Sequence, residues 1–226
     1  LLALALLTTS ALIDIFFAFI YSLKRQLYLM LWAAGWALLA LHYLSPTLEP
    51  SLSAAPWQAA LNQWLLAAAA LLFFCTAQIY TQTRPWVIRL GVAGALFAVW
   101  AATYYWNWVN VQPHLGIAVV LCGTAVVFWR ESRKQETLAD RLLAAAFFLW
   151  GAMTASALLR GRFSGGGLLA DTEMFIIVPQ VCVAVLMVMA LYEEERRRIE
   201  RNMLALTNLN LATSSFSGGE IQKMLS

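Results

Sequence analysis

The chain has 226 residues, 62% of them hydrophobic and only 12% charged, against about 25% charged in an ordinary soluble domain. That composition excludes a soluble globular enzyme of ordinary make-up and indicates a multi-pass membrane protein. The net charge of +3 is small, and no basic run interleaves with aromatics as a nucleic-acid surface requires, so no nucleic-acid partner is expected.

A spanning helix needs about 20 mostly apolar residues. Seven stretches qualify, at about 1–23, 27–45, 58–80, 86–106, 113–130, 140–160 and 172–192. The fold class expected is therefore an all-α seven-helix transmembrane bundle. Residue 1 is Leu, not Met, so the true N-terminus is expected upstream. Residues 1–22 lack a charged leading region and carry their basic residues after the apolar run, so they read as a spanning helix rather than a signal peptide.

The charges set an orientation. Lys24 and Arg25, Arg84 and Arg89, Arg130, Arg133, Lys134 and Arg141, and then Arg196, Arg197, Arg198, Arg201 and Lys223 share one side if seven helices alternate. Arg160 and Arg162 alone fall on the other. The positive-inside rule then puts the N-terminus outside and the C-terminus in the cytoplasm. Tyr43, Trp57, Trp106 and Trp108 at outer ends, and Tyr28, Trp86 and Trp129 at inner ends, fit interfacial belts. The longest outer loops are 45–57 and 161–171, and the second carries Arg162 and Asp171.

Within the first stretch, Asp14 lies near mid-bilayer, about 15 Å from the Lys24 end. Ionisable groups there are costly and usually face the bundle interior. Ser10, Asp14, Ala18 and Ser22 form an i, i+4 polar or small stripe, while Phe16, Phe17, Phe19 and Ile20 point elsewhere, towards lipid. Asp14 reads either as a ligand- or proton-sensing group or as a packing hydrogen bond, with Gln180 as its natural partner. Pro179 precedes Gln180 and is expected to kink the last span. His42 and His114 both fall near outer ends. Two His do not make a metal site, which needs three or four ligands, but His42 could sense external pH. Small residues in the fourth to sixth stretches, Gly91, Gly94, Ala95, Gly116, Gly123, Gly151 and Ala155, allow close helix approach. Trp100, Tyr104, Tyr105 and Trp150 line a pocket or simply pack. Cys75, Cys122 and Cys182 sit in apolar runs without a C-x-x-C and are expected to be buried small hydrophobes.

The last span runs directly into Tyr192-Glu-Glu-Glu-Arg-Arg-Arg-Ile-Glu-Arg201. A seam at spacings of three and four follows: Tyr192, Ile199, Met203, Leu206, Asn210, Thr213. This is a weak coiled coil in which a core Asn would set register. It suits either a switchable parallel homodimer or a cationic helix lying on anionic lipid. Gly218-Gly219 is expected to end it, with Glu220 to Ser226 opening a new element. The domains expected are 1–192, a transmembrane sensor; 193–217, a signalling helix; and 218–226, the start of a cytoplasmic domain.

Leu206-Thr-Asn-Leu-Asn-Leu-Ala-Thr-Ser-Ser-Phe216 followed by Gly219-Glu-Ile-Gln-Lys-Met-Leu225 is similar to the lead-in helix of a GAF domain. Together with seven spans, short loops and a charged exit helix, the chain resembles bacterial seven-helix sensor regions that precede histidine kinases and diguanylate cyclases. The resemblance implies the inner (plasma) membrane, a dimer, control by a small ligand or membrane cue, and a cytoplasmic output domain beyond the chain. From their positions, Asp14, Gln180, Tyr104, Trp100 and His42 are the residues expected to sense a ligand or proton, and Pro179, Ile199, Met203, Leu206 and Asn210 those expected to transmit the signal. No kinase, cyclase or other catalytic residues stand in this stretch, and no cofactor or metal is expected. Lys24, Lys134 and Lys223 all lie outside the spans, which excludes a retinal Schiff base. The competing expectation is an accessory subunit of a larger membrane complex. A transporter fits less well, because no internal repeat is visible.

Overall fold

In a computed structural model, the backbone is described for residues 2–48, 56–81, 94, 113–135, 137–160 and 172–224. The helices are α1 (Leu2–Lys24), α2 (Leu27–Leu48), α3 (Pro56–Tyr80), α4 (Pro113–Gln135), α5 (Leu138–Arg160) and α6 (Thr172–Met224). Each of these six is long and apolar enough to cross a membrane. The expected fourth span, 86–106, lies outside the described residues, apart from Gly94. Among the described residues the protein is all-helical, and its six apolar helices make it a multi-pass membrane protein.

Two compact units divide the chain, residues Leu1–Leu186 and Met187–Ser226. In the first, α1 packs on α2, α2 on α3, α3 on α4, and α4 on α5. The core joining them is aromatic. Trp32 and Trp36, one turn apart on α2, are both fully buried. Trp32 meets Phe17 of α1 at 5.4 Å and Tyr80 of α3 at 6.1 Å between ring centroids. Tyr80 meets Phe128 of α4 at 5.9 Å, and Phe128 stacks on Phe147 of α5 at 5.8 Å. Trp150, one turn further on, stacks on Trp36 at 6.5 Å, and Phe73 fills the middle, 5.4 Å from Trp36. Each such pair adds about 0.5–1.5 kcal/mol beyond the area it buries.

The outward faces carry Leu12, Ile15, Phe19, Val119 and Phe148, all more than 60% exposed. Contiguous apolar surface of this kind is a liability in water and ordinary in lipid. Backbone groups are satisfied within the helices, as a bilayer demands. Many hydroxyls follow suit: Thr76, Thr81, Thr124 and Thr154 each donate to the carbonyl four residues back, and Ser132 and Ser156 to the one three back. These polar residues are absorbed by their own helices and carry no site.

The α1–α2 turn is closed by Arg25, which has φ of 53° and donates its N–H to the Tyr21 carbonyl at 2.8 Å. That is the left-handed helix stop usually given to Gly. At the α4–α5 turn, Thr137 stands just ahead of α5 and its hydroxyl donates to the Asp140 carboxylate.

Several expectations are corrected. Phe17, assigned to lipid, is fully buried, and Ala18 and Ser22, assigned to the interior, are exposed. Steps of four residues walk about 40° round a helix. The buried line is therefore Leu6, Ser10, Phe17, with Asp14 on its flank. Tyr28, expected at an inner interface, is buried against Trp32 and Tyr80 at 5.4 and 5.6 Å. Of the cysteines only Cys75 is buried, Cys122 is intermediate and Cys182 is exposed. The tight glycines are Gly151, where a Cβ would lie 2.8 Å from Cys122 Sγ and 3.1 Å from the Ala118 carbonyl, and Gly35, where it would lie 2.8 Å from the Phe73 ring. Gly116 has open space instead. Gly218-Gly219 does not end the last helix, which continues to Met224. Each helical Gly costs about 1 kcal/mol relative to Ala, and no Pro follows to force a stop.

Candidate functional site

Polar residues whose bonds cross between helices stand apart from the self-satisfied hydroxyls. One such group sits at the end of the bundle where α2 finishes and α3 and α6 begin. His42 and Tyr43 lie about two turns before the end of α2, and Asn62 and Gln63 about two turns into α3. Gln180 lies about two turns into α6.

Gln180 is 3% exposed, and its Nε2 donates to the Tyr43 hydroxyl at 2.7 Å. His42 Nδ1 lies 2.9 Å from the Asn62 backbone carbonyl. A carbonyl only accepts, so Nδ1 carries the proton in this arrangement. The His42 and Tyr43 rings meet edge to face at 4.9 Å. Two amide oxygens, Asn62 Oδ1 and Gln63 Oε1, are shielded from solvent and accept no hydrogen bond among the described residues. Asn62 and Gln63 stand on the α3 turn that His42 meets, so this end of the bundle holds a Tyr hydroxyl, an imidazole and two shielded amide acceptors.

Position on α6 gives the cluster leverage. Pro179 is buried immediately before Gln180. It has no N–H, so the carbonyl of residue 175 loses its intrahelical donor and the helix is softened there. The bond to Tyr43 ties α6 to α2 at that weak point.

Comparison with family models, with curated proteins and with solved structures finds no match.

The sequence-predicted residues divide three ways. His42 and Gln180 are brought to one cluster through Tyr43. Asp14 is half-buried on α1 and has no hydrogen-bond partner among the described residues; Gln180, its expected partner, is bonded to Tyr43 instead. Trp100 and Tyr104 lie outside the described residues, and so does the side chain of His114. Trp150 is 3% exposed within the aromatic core. On the exit helix Ile199, Met203 and Leu206 are 54%, 65% and 61% exposed, and Asn210 is exposed beside them. Among the described residues no group of three His, Cys, Asp or Glu is placed to hold a metal.

Sequence reasoning missed Tyr43, Asn62 and Gln63. Their signal was available: Asn62-Gln63 are consecutive amides inside an apolar span, about two turns from its start, as His42 is from the end of the preceding one.

A double-mutant cycle tests the Gln180–Tyr43 tie. Tyr43→Phe and Gln180→Leu should each lower thermal stability in detergent, with Tyr43→Phe the costlier because it strands a buried amide. The coupling energy should fall at about 0.6–1.7 kcal/mol, the range of such bonds in lipid. Additive effects would show that the bond contributes nothing.

Proposed function

We propose that this chain is the membrane-embedded input region of a signalling receptor, oriented with its N-terminus outside. A ligand or membrane cue acts at the cluster around His42, Tyr43 and Gln180. The change passes along α6 to a cytoplasmic output domain of the histidine kinase or diguanylate cyclase type beyond the chain, and the receptor works as a homodimer in a bacterial inner membrane.

The supporting observation is α6 itself, one helix of 53 residues from Thr172 to Met224. Its first part is an apolar span tied at Gln180. Its later part, from Tyr192, carries large apolar side chains exposed to solvent at the spacing of a dimer seam. An exposed row of Ile199, Met203 and Leu206 has no use on an isolated helix in water and a direct use against a second copy. The alternative of a cationic helix lying on lipid has less in its favour. Residues 193–201 hold four Glu and four Arg, and Arg196 pairs with Glu200 at 2.9 Å while Arg197 pairs with Glu193 at 3.8 Å. The segment is neutralised along its own axis. An accessory subunit docking this helix on another protein is favoured by one feature: Leu204, off the seam, is 65% exposed as well.

In the mechanism, the cue displaces the Gln180 amide from Tyr43, α6 bends or turns at Pro179, and the dimer seam changes register. Single cysteines placed at Ile199, Met203 and Leu206 should form disulfide-linked dimers in membranes on mild oxidation. Cysteines at Arg198, Arg201 and Ala205, on other faces, should link at least about fivefold less, as expected when only seam positions face the partner. Uniform linking, or none, would overturn the homodimer.

A further inference from the structure

The α4–α5 hairpin sorts its charges by direction. Among the described residues its acids turn inward: Glu131 is 7% exposed and Asp140 is 2% exposed. Glu131 is occupied by Lys134 Nζ at 3.1 Å and Asp140 by the Thr137 hydroxyl. Its arginines turn outward. Arg130 and Arg133 are exposed near the end of α4, and Arg141 is exposed in the first turn of α5. None of the three has an acidic partner among the described residues, where Glu136 is not included. Arg133 lies over the ring of Trp129, 6.0 Å from its centroid, and Trp129 is itself 49% exposed. Leu142, next to Arg141 on its span side, is 42% exposed, and Leu138, which opens α5, is 60% exposed.

An exposed Trp with an Arg resting on its face, two further unpaired guanidiniums and an apolar surface below is the pattern of a phospholipid seat. Guanidinium forks match phosphate oxygens in pairs. The Trp–Arg stack holds one fork in place before binding. Helices joined by so short a turn stand about 8–10 Å apart, a separation that one phosphate group bridges between long Arg side chains on the two. Cations at this depth attract anionic lipid by about 1 kcal/mol each.

We infer that Trp129, Arg130, Arg133 and Arg141 form a binding site for the phosphodiester headgroup of an anionic phospholipid, whose chains run past Leu142 towards the span. The site is independent of the signalling role proposed above. It sits at the other end of α2 and α3 from the His42–Gln180 cluster, because Tyr28, Tyr80 and Phe128 meet there.

The test uses the full chain in mixed micelles with phosphatidylglycerol or phosphatidylcholine, and bound lipid is counted by native mass spectrometry. The wild type should retain phosphatidylglycerol preferentially. The triple variant Arg130→Gln, Arg133→Gln, Arg141→Gln should lose that preference by at least about tenfold, since each cation is worth about fivefold. A triple variant of equal charge loss, Arg196→Gln, Arg198→Gln, Arg201→Gln, should keep it. Equal retention by wild type and hairpin variant overturns the proposal. So does an equal loss in both triple variants, which would mean diffuse attraction. Displacement of lipid by millimolar inorganic phosphate also overturns it, since the seat would then hold a free anion. If the hairpin triple variant fails to fold, Arg133→Lys is read instead: it keeps the charge but not the fork, and a preference equal to wild type overturns the site.

Discussion

Trp36→Ala is expected to lower the unfolding free energy by about 3–5 kcal/mol, whereas Trp36→Phe should leave it within about 1.5 kcal/mol of wild type. Both are read from thermal unfolding in the same detergent. The first expectation follows from position. Trp36 is fully buried, stacks on Trp150, and meets Phe73 edge to face. Truncation would therefore open a cavity shared by α2, α3 and α5, between helices that lipid cannot enter. The second expectation follows from the indole nitrogen. Trp36 Nε1 is buried without a hydrogen-bond partner among the described residues, as is Trp32 Nε1 one turn away. A buried unpaired donor costs about 1–3 kcal/mol, and Phe removes that donor while keeping a ring in the stack. The gain offsets most of the area lost. A Phe variant as damaged as the Ala variant would show that the indole N–H is bonded in the membrane, to an ordered water or to the face of a neighbouring ring.

The same two tryptophans show what the sequence makes legible. The spans were readable because apolar length is a property of the chain by itself: the boundaries of α1, α3 and α5 fall within a few residues of the hydropathy pattern. What the pattern does not carry is direction round the helix. Every face of these spans is apolar, so nothing in it separates Phe17 and Tyr28, which are buried, from Phe16 and Phe19, which are exposed. Asp14 stood out as the one acid deep in a span, yet charge marks depth and not a partner. Gln180 found Tyr43, a residue whose hydroxyl made it look like an interfacial anchor. Asn62 and Gln63 went unremarked because amides carry no charge to flag them. Gly151 was legible as small, and its contact with Cys122 gives the reason. Gly35 was not singled out, since one Gly between tryptophans gives no small-residue repeat.

On the proposed receptor reading, inserting one Ala after Asn202 is expected to change the resting output of the full-length protein by at least about tenfold, in either direction, while leaving folding and membrane insertion unchanged. One residue turns everything beyond it by about 100° and advances it by about 1.5 Å. Ile199 then stays on its original face while Met203 and Leu206 leave theirs, so the seam is cut in two. The cost to the helix itself is small, because Ala is the best helix former and residues 202–206 are exposed. The intrahelical pairs Arg196–Glu200 and Arg197–Glu193 lie before the insertion and are kept. Inserting four residues turns the distal helix by about 400°, only about 40° from its starting face, and should restore most of the output that one residue disturbs. That recovery separates a rotational mechanism from simple damage, because four extra residues are the larger lesion. Kinase or cyclase activity in membranes, compared across insertions of one to four alanines, reads it directly. A periodic response follows the helical repeat only if α6 works as one rod from the bilayer to its output. A flat response means the segment beyond Tyr192 is a passive tether, and it would favour the accessory-subunit alternative, in which Leu204 and its neighbours simply rest on another protein.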